Sequence, residues 1–244
     1  MFLKLLSFPV KILSEILNFF FPQFCEDCKT PLSYEEVLFC KNCLKGLPLI
    51  KNYCTRCGNP FFSDLSEYFD ETSLNYCSRC LKKPPPYDRV YLGFYYKEPI
   101  KTLIQKAKFG ENFELSYQLG KLLRKVINLS LESYDLIIPI PLSQKRKRER
   151  GFNQSLLMLW GYSGIYFSHN PLKRILHTRP QSELSLKERL SNLKGAFRVE
   201  ENLKGKRILL FDDVMTSGAT LYEASKELKK AGVSEIHLLV LARA

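Results

Sequence analysis

Apolar and polar positions along the chain fall into two periods. The run Arg89 to Tyr96 (RVYLGFYY) is rich in β-branched and aromatic residues and predicts a strand. Asp135 to Ile140 (DLIIPI), Arg207 to Phe211 (RILLF) and Glu235 to Ala242 (EIHLLVLA) are short continuous apolar runs, the pattern of strands buried on both faces. Between them lie stretches of helical period. Pro99 to Ile127 is one, interrupted near Phe109-Gly110; Asn153 to Trp160 is a second; Ala219 to Lys230, closed by Gly232, is a third. Strands alternating with helices predict an α/β fold with a mostly parallel sheet flanked by helices. Ahead of it, Ile12, Leu13, Ile16, Leu17 and Phe20 share one face of an amphipathic helix over Pro9 to Phe20. That face is expected to pack on the neighbouring module, with membrane or partner docking as the alternative.

Composition divides the chain at Pro84-Pro85-Pro86, which can continue neither a helix nor a sheet interior. The expected organisation is an amphipathic helix over 1–23, a cysteine-rich module over 24–83 and the α/β domain over 88–244. Net charge is +12, and it is not spread evenly. Through residue 87, ten Lys and Arg meet nine Asp and Glu; beyond it the figures are 27 and 16. A basic excess confined to the α/β part suits a polyanionic ligand, a diphosphate or a nucleic acid, and equally a solvated basic surface. The apolar start is interrupted by Lys4, Lys11 and Glu15, broken by Pro9 and followed by no small-residue cleavage site, so it does not read as a signal peptide. No window of about 18 uncharged apolar residues suggests a membrane span. A cytoplasmic location follows as an expectation.

All eight cysteines lie between Cys25 and Cys80, in four C-x-x-C units: Cys25/Cys28, Cys40/Cys43, Cys54/Cys57 and Cys77/Cys80. In a reducing compartment such pairs signal metal rather than disulfides, because one tight turn presents two thiolates to one tetrahedral ion. Two structural four-cysteine Zn²⁺ sites are expected, closed to substrate. Sequential pairing is preferred, although the loop lengths also permit cross-bracing. With little core available, the metal should supply most of this region's folding energy.

The densest chemistry lies in ILLFDDVMTSGAT, Ile208 to Thr220. A buried strand ends in Asp212 and Asp213, a small polar loop follows, and a helix begins. Ligands of open α/β sheets bind beyond the carboxyl ends of strands, and the loop amides with the helix amino terminus favour an anion. Thr216, Ser217 and Thr220 add hydroxyls, and Gly218 permits close backbone approach. The two acids suit vicinal ribose hydroxyls, so a ribose 5-phosphate satisfies both halves. Downstream of the strand at 135–140, Pro141-Leu142-Ser143 leads into a loop carrying Lys145, Arg146, Lys147, Arg148 and Arg150. That loop is a candidate for diphosphate or for a nucleic-acid backbone.

Ile208 to Thr220 resembles the 5-phosphoribosyl-1-diphosphate (PRPP) signature of type I phosphoribosyltransferases. The resemblance implies that Asp212 and Asp213 hold the ribose diol at the catalytic centre. It further implies that Val214, Met215, Thr216, Ser217, Gly218, Ala219 and Thr220 wrap the 5-phosphate, with Mg²⁺ accompanying PRPP. With KAKFGENFELSYQLGKLL, IPIPLSQKRKRERGFNQS, the Gln181 to Asn192 segment and the cysteine pairs, the chain resembles the ComF family of competence proteins. RGFNQ, Arg150 to Gln154, is the most family-specific string. The resemblance implies a double zinc ribbon before a type I phosphoribosyltransferase-like domain, in a protein that handles incoming single-stranded DNA near the inner membrane face. A helicase-like translocase of the ComFA type would be its partner. Lys106, Lys108 and Arg189 are candidates to clamp diphosphate, and Phe152, Tyr162, Tyr166 and Phe167 to stack on a strand. The acceptor of any phosphoribosyl transfer is not legible. The alternative is a metabolic phosphoribosyltransferase related to glutamine amidophosphoribosyltransferase. Glutaminase activity is not expected, since Phe2 stands where that enzyme's amino-terminal cysteine nucleophile would be. His237, inside a strand pattern, reads as a core histidine.

Overall fold

The structure is a computed structural model and describes residues 22–61, 75–109, 112–176 and 193–244. The amino-terminal helix expected over Pro9 to Phe20, Gly110, His177 and the Gln181 to Asn192 segment with Arg189 lie outside the described residues. The chain forms two compact units, Met1–Leu47 and Pro48–Ala244.

The described part of the first unit is a small ribbon built on two cysteine pairs. Cys25 N–H donates to the Thr30 carbonyl at 2.9 Å and Lys29 N–H to the Cys25 carbonyl at 3.0 Å, closing the turn between the first two cysteines. A second pair is presented at the start of a short helix, α1 (Lys41–Lys45), with Cys40 as its N-cap.

The second unit holds four parallel strands in the order β1 (Arg89–Tyr95), β6 (Glu235–Arg243), β5 (Arg207–Met215), β2 (Leu136–Pro139). Ile208 and Leu210 of β5, with Ile236, Leu238 and Val240 of β6, pack into one core with Ala219, Leu221, Ala224 and Leu228 of α7 (Ala219–Lys230). The alternate residues Leu209, Phe211, Leu239 and Leu241 are also fully buried. Both faces are therefore covered, which is why these strands read as continuous apolar runs.

Helix α3 (Ile100–Phe109) is followed by α4 (Phe113–Val126), capped by the Asn112 side chain accepting from Leu115 N–H at 2.9 Å. Helix α4 packs most closely on α6 (Gln154–Ser163). Gly120 and Gly161 sit at their crossing, and a Cβ at either would overlap the carbonyl of Met158 or Tyr117. Backbone-to-backbone contact of this kind requires the missing side chains. A small antiparallel pair, β3 (Leu172–Arg174) with β4 (Phe197–Val199), stands apart from the main sheet. Three-residue strands carry no readable period, and the sequence pattern did not indicate them.

The cysteine-rich stretch from Tyr53 to Lys82 belongs to the same compact unit as the sheet. It includes α2 (Ser78–Lys82), whose N-cap is Cys77. Val90 N–H donates to the Thr55 carbonyl at 2.7 Å, Ile50 N–H to the Gly93 carbonyl at 3.1 Å, and Arg56 pairs with Asp88 at 3.6 Å. Leu49 bridges Phe94, so the β1 edge is covered.

Two sequence expectations change. Lys145 to Arg150 lie not on a loop but in helix α5 (Gln144–Arg150). Ser143 caps it, its hydroxyl accepting from Arg146 N–H, and Gly151 ends it in the left-handed conformation at φ 71°. Strand β5 runs through both acids to Met215 instead of ending before them, because β6 stays paired with it as far as Arg243.

Candidate functional site

The two sets Cys25, Cys28, Cys40, Cys43 and Cys54, Cys57, Cys77, Cys80 each gather four sulfurs within 4.8 Å of one another. Pairing is therefore sequential, and cross-bracing is excluded. Cys28 and Cys40 sulfurs lie 3.7 Å apart, as do those of Cys57 and Cys77. A tetrahedral ion with Zn–S bonds of about 2.3 Å needs sulfurs about 3.8 Å apart, so both sets fit structural zinc. In each set a backbone amide also points at a sulfur, Cys40 N–H at Cys25 Sγ (3.5 Å) and Cys77 N–H at Cys54 Sγ (3.3 Å).

The second cluster of chemistry lies at the carboxyl end of β5. Alternation along the strand turns Asp213 toward the helices, where Lys108 Nζ of α3 meets its carboxylate at 2.9 Å and Gln154 Nε2 donates to it at 3.3 Å. Asp212 accepts from Ser155 Oγ at 3.4 Å and from Asp213 N–H at 3.0 Å. Both acids are buried, and their protonation diverges. Burial, then the adjacent Asp213 charge, pushes Asp212 up to about 7. Burial opposes the charge of Asp213 as well, but the Lys108 ammonium and the hydrogen bonds from Lys108 and Gln154 hold it below the ordinary carboxylate value.

Beyond Met215, Thr216 and Ser217 are half-buried and lead to Gly218, whose φ of 77° makes it the left-handed N-cap of α7. Ser217 Oγ accepts from Ala219 N–H at 3.4 Å, and Thr220 stands half-buried in the first turn. Pro141 and Leu142 are half-buried and Ser143 is buried at the cap of α5. The amino terminus of α7 follows the two buried acids in the chain, beyond the carboxyl end of β5.

Helix α5 sorts its cations. Arg146 and Arg150, four residues apart on one face, are half-buried, whereas Lys145, Lys147 and Arg148 are exposed. Arg150 lies within electrostatic reach of Asp213, and burial, then Arg146, lowers its pKa. Of the two α3 lysines, Lys108 joins the acids and Lys106 is exposed.

Three residues of this cluster were not singled out from the sequence. Gln154 and Ser155 were inside the quoted RGFNQS string, and the structure explains it: Arg150 ends α5, Gly151 turns the chain, and Phe152 stacks on Phe113 at 4.3 Å. Asn153 caps α6 and ties it to the end of β2 through the Ile140 carbonyl at 3.0 Å, which sets Gln154 and Ser155 against the acids. Arg174 of β3 carries no local signal. It lies near Asp212 and Arg146, and burial, then Arg146, lowers its pKa to about 10.

Among the aromatic candidates, Tyr162 is core, 2% exposed, with its hydroxyl accepting from Leu129 N–H. Tyr166 is exposed and continues a row with Trp160 (5.6 Å) and Tyr117 (5.1 Å from Trp160). Phe167 is half-buried. No helix among the described residues is long and apolar enough to cross a membrane.

These features define an α/β phosphoribosyltransferase-type domain joined to paired zinc ribbons. Comparison with known families agrees: residues 16–81 match the double zinc ribbon domain and residues 166–244 the phosphoribosyl transferase domain. Competence protein F of Haemophilus influenzae is 36% identical, covering 94% of this chain and 100% of its own length. DNA utilization protein YhgH of Escherichia coli K12 is 32% identical over 91% of this chain and 97% of its own. Competence protein ComFC of Bacillus subtilis is 38% identical over 60% of this chain and 62% of its own. The chain belongs to the ComF family.

Proposed function

We propose that this protein binds PRPP with Mg²⁺ at the end of β5 and serves DNA uptake by handling incoming single-stranded DNA. The observation that carries the first half is the pair of buried acids, Asp212 and Asp213, beside the Gly218 turn at the head of α7. The ribose hydroxyls meet the acids, the 5-phosphate meets the turn and helix terminus, and Arg146, Arg150 and Arg174 face the diphosphate. Mg²⁺, which takes oxygen ligands, would offset the diphosphate charge, and Asp212 and Asp213 are the carboxylates that would help to hold it. Lys108 occupies the carboxylate that the sugar needs, so it moves to the diphosphate when the ligand enters. Where an acceptor nucleophile is present, its bond to C1′ forms as the C1′–O bond breaks and diphosphate leaves with the electron pair. The acceptor's chemistry is not written in the site.

The second half rests on the relatives' names, competence protein F and DNA utilization protein YhgH, and on two surface features. Lys145, Lys147 and Arg148 are exposed cations, and the Tyr117, Trp160, Tyr166 row offers faces on which bases stack. A translocase of the ComFA type, working at the inner membrane face, is the partner this role calls for.

Calorimetric titration with PRPP and Mg²⁺ tests the first half, with Asp212→Asn/Asp213→Asn as control. Binding by wild type alone supports the site; no binding to folded, zinc-loaded protein overturns it. For the second half, neutralising Lys145, Lys147 and Arg148 weakens single-stranded DNA binding and flattens its salt dependence, while PRPP affinity is kept. Unchanged DNA affinity and salt slope remove α5 as the strand's site.

A further inference from the structure

Arg243, at the end of β6, touches three parts of the second unit at once. Its Nε donates to the Gly58 carbonyl at 3.3 Å. The two hydrogens of its Nη1 are shared among the Met215 carbonyl at 2.9 Å, the Ala244 carbonyl at 2.7 Å and the Thr216 carbonyl. Gly58 closes the first knuckle of the second ribbon, its N–H bonded to the Cys54 carbonyl at 2.8 Å. Met215 and Thr216 begin the loop that leads to Gly218. The knuckle and the loop also meet through packing: a Cβ at Gly58 would lie 3.6 Å from Met215 Sδ, and one at Gly218 would lie 2.8 Å from Met215 Cε. A single guanidinium, half-buried, therefore joins a metal knuckle to the anion loop.

The consequence follows from peptide geometry. In a trans peptide the carbonyl and N–H point in opposite directions. Holding the Met215 and Thr216 carbonyls on Arg243 fixes the next two amides, Thr216 N–H and Ser217 N–H, on the far side of the loop. Those are amides that an anion at the head of α7 would meet. The other end of the clamp depends on the turn from Cys54 to Gly58, and a closed zinc site holds such a turn only while the metal is bound.

We propose that Arg243 is a positioning residue that couples zinc occupancy of the second ribbon to anion affinity of the 216–220 loop. The coupling rests on the reading of that loop as the PRPP 5-phosphate site. Linkage is reciprocal: zinc at Cys54, Cys57, Cys77 and Cys80 tightens PRPP binding, and PRPP tightens zinc binding at those four sulfurs by the same factor.

The experiment uses the full, zinc-loaded chain with PRPP and Mg²⁺ as the probe. In wild type, PRPP is expected to raise the chelator concentration that withdraws one of the two zinc equivalents at equilibrium. Arg243→Gln is expected to weaken PRPP binding by about tenfold, within the usual range of coupling between sites, and to abolish the protection of zinc. Arg243→Lys keeps the charge but not the fork and falls between. Should either variant fail to fold, the wild-type protection assay still decides. Wild type that binds PRPP with no change in zinc release overturns the coupling, as does an Arg243→Gln protein with wild-type affinity. Wild type that does not bind PRPP removes the phosphate reading, and the coupling with it.

Discussion

Asp212 carries the largest consequence of any single residue. Its carboxyl is pushed up to about 7, chiefly by burial, so protonation competes with ionisation near neutrality. A diol or Mg²⁺ that requires the carboxylate gains affinity as pH rises through about 7. PRPP titrations in a pH series should show this, and Asp212→Asn should lose the slope. The same shift acts on stability with a worked sign. Between the ordinary carboxylate value and about 7, the folded state holds a proton that the unfolded state has released, so stability falls as pH rises through that window. Asp212→Asn removes this cost, and its melting temperature should exceed wild type at pH about 8, with the margin shrinking toward pH about 5. His237 behaves differently. It is 5% exposed, bonded to Tyr134 Oη at 2.8 Å and Glu235 at 2.7 Å, and burial holds its pKa below the usual value. Its contribution is full above about pH 6.5 and is lost as pH falls through the folded value, because the unfolded imidazole binds its proton first. Denaturant unfolding should therefore steepen its decline below about pH 6.5, and less so in His237→Gln. That histidine was legible as core from its strand; Tyr162 was not, because a helical aromatic gives no sign of which face it will take.

At the scale of elements, helix α5 shows what a local reading lacks. A run of cations in QKRKRER looks uniform, and as a loop it would present them alike. As a helix it divides them, with Arg150 within reach of Asp213, Arg146 half-buried beside it, and Lys145, Lys147 and Arg148 outward. Ser143 and Gly151 cap this short helix, which forms despite the charge repulsion within it. The α4–α6 crossing is the other case. Nothing in the local pattern marks Gly120 and Gly161, yet they are where the two backbones touch. Gly161→Ala should cost about 1–3 kcal/mol by overpacking, measured by denaturant unfolding, and more than Gly164→Ala, where a Cβ has open space but the backbone is left-handed.

At the scale of the whole molecule, the ribbons differ in their setting. One four-cysteine set belongs to the unit Met1–Leu47 and the other to the unit that contains the sheet. Two zinc equivalents per chain are expected by metal analysis. Chelation should lower the melting temperature of the α/β unit itself, because the knuckle of the second set is hydrogen-bonded to Val90 of β1 and to Arg243 of β6. Melting of that unit unchanged by complete zinc removal would rule this out. The cysteine spacing, the alternation of apolar runs with helical stretches and the acid-loop-helix order at Ile208 to Thr220 were determined by the sequence itself, because each is a local pattern spanning one turn, one strand or one strand-to-helix junction. Which cysteine pairs join was decided only by folding, as were the meeting of Lys108, Gln154 and Arg174 with two acids far along the chain and the span of Arg243 from a cysteine knuckle to the loop after β5. Those contacts depend on where whole strands and helices come to rest, and residue order carries no local mark of that distance.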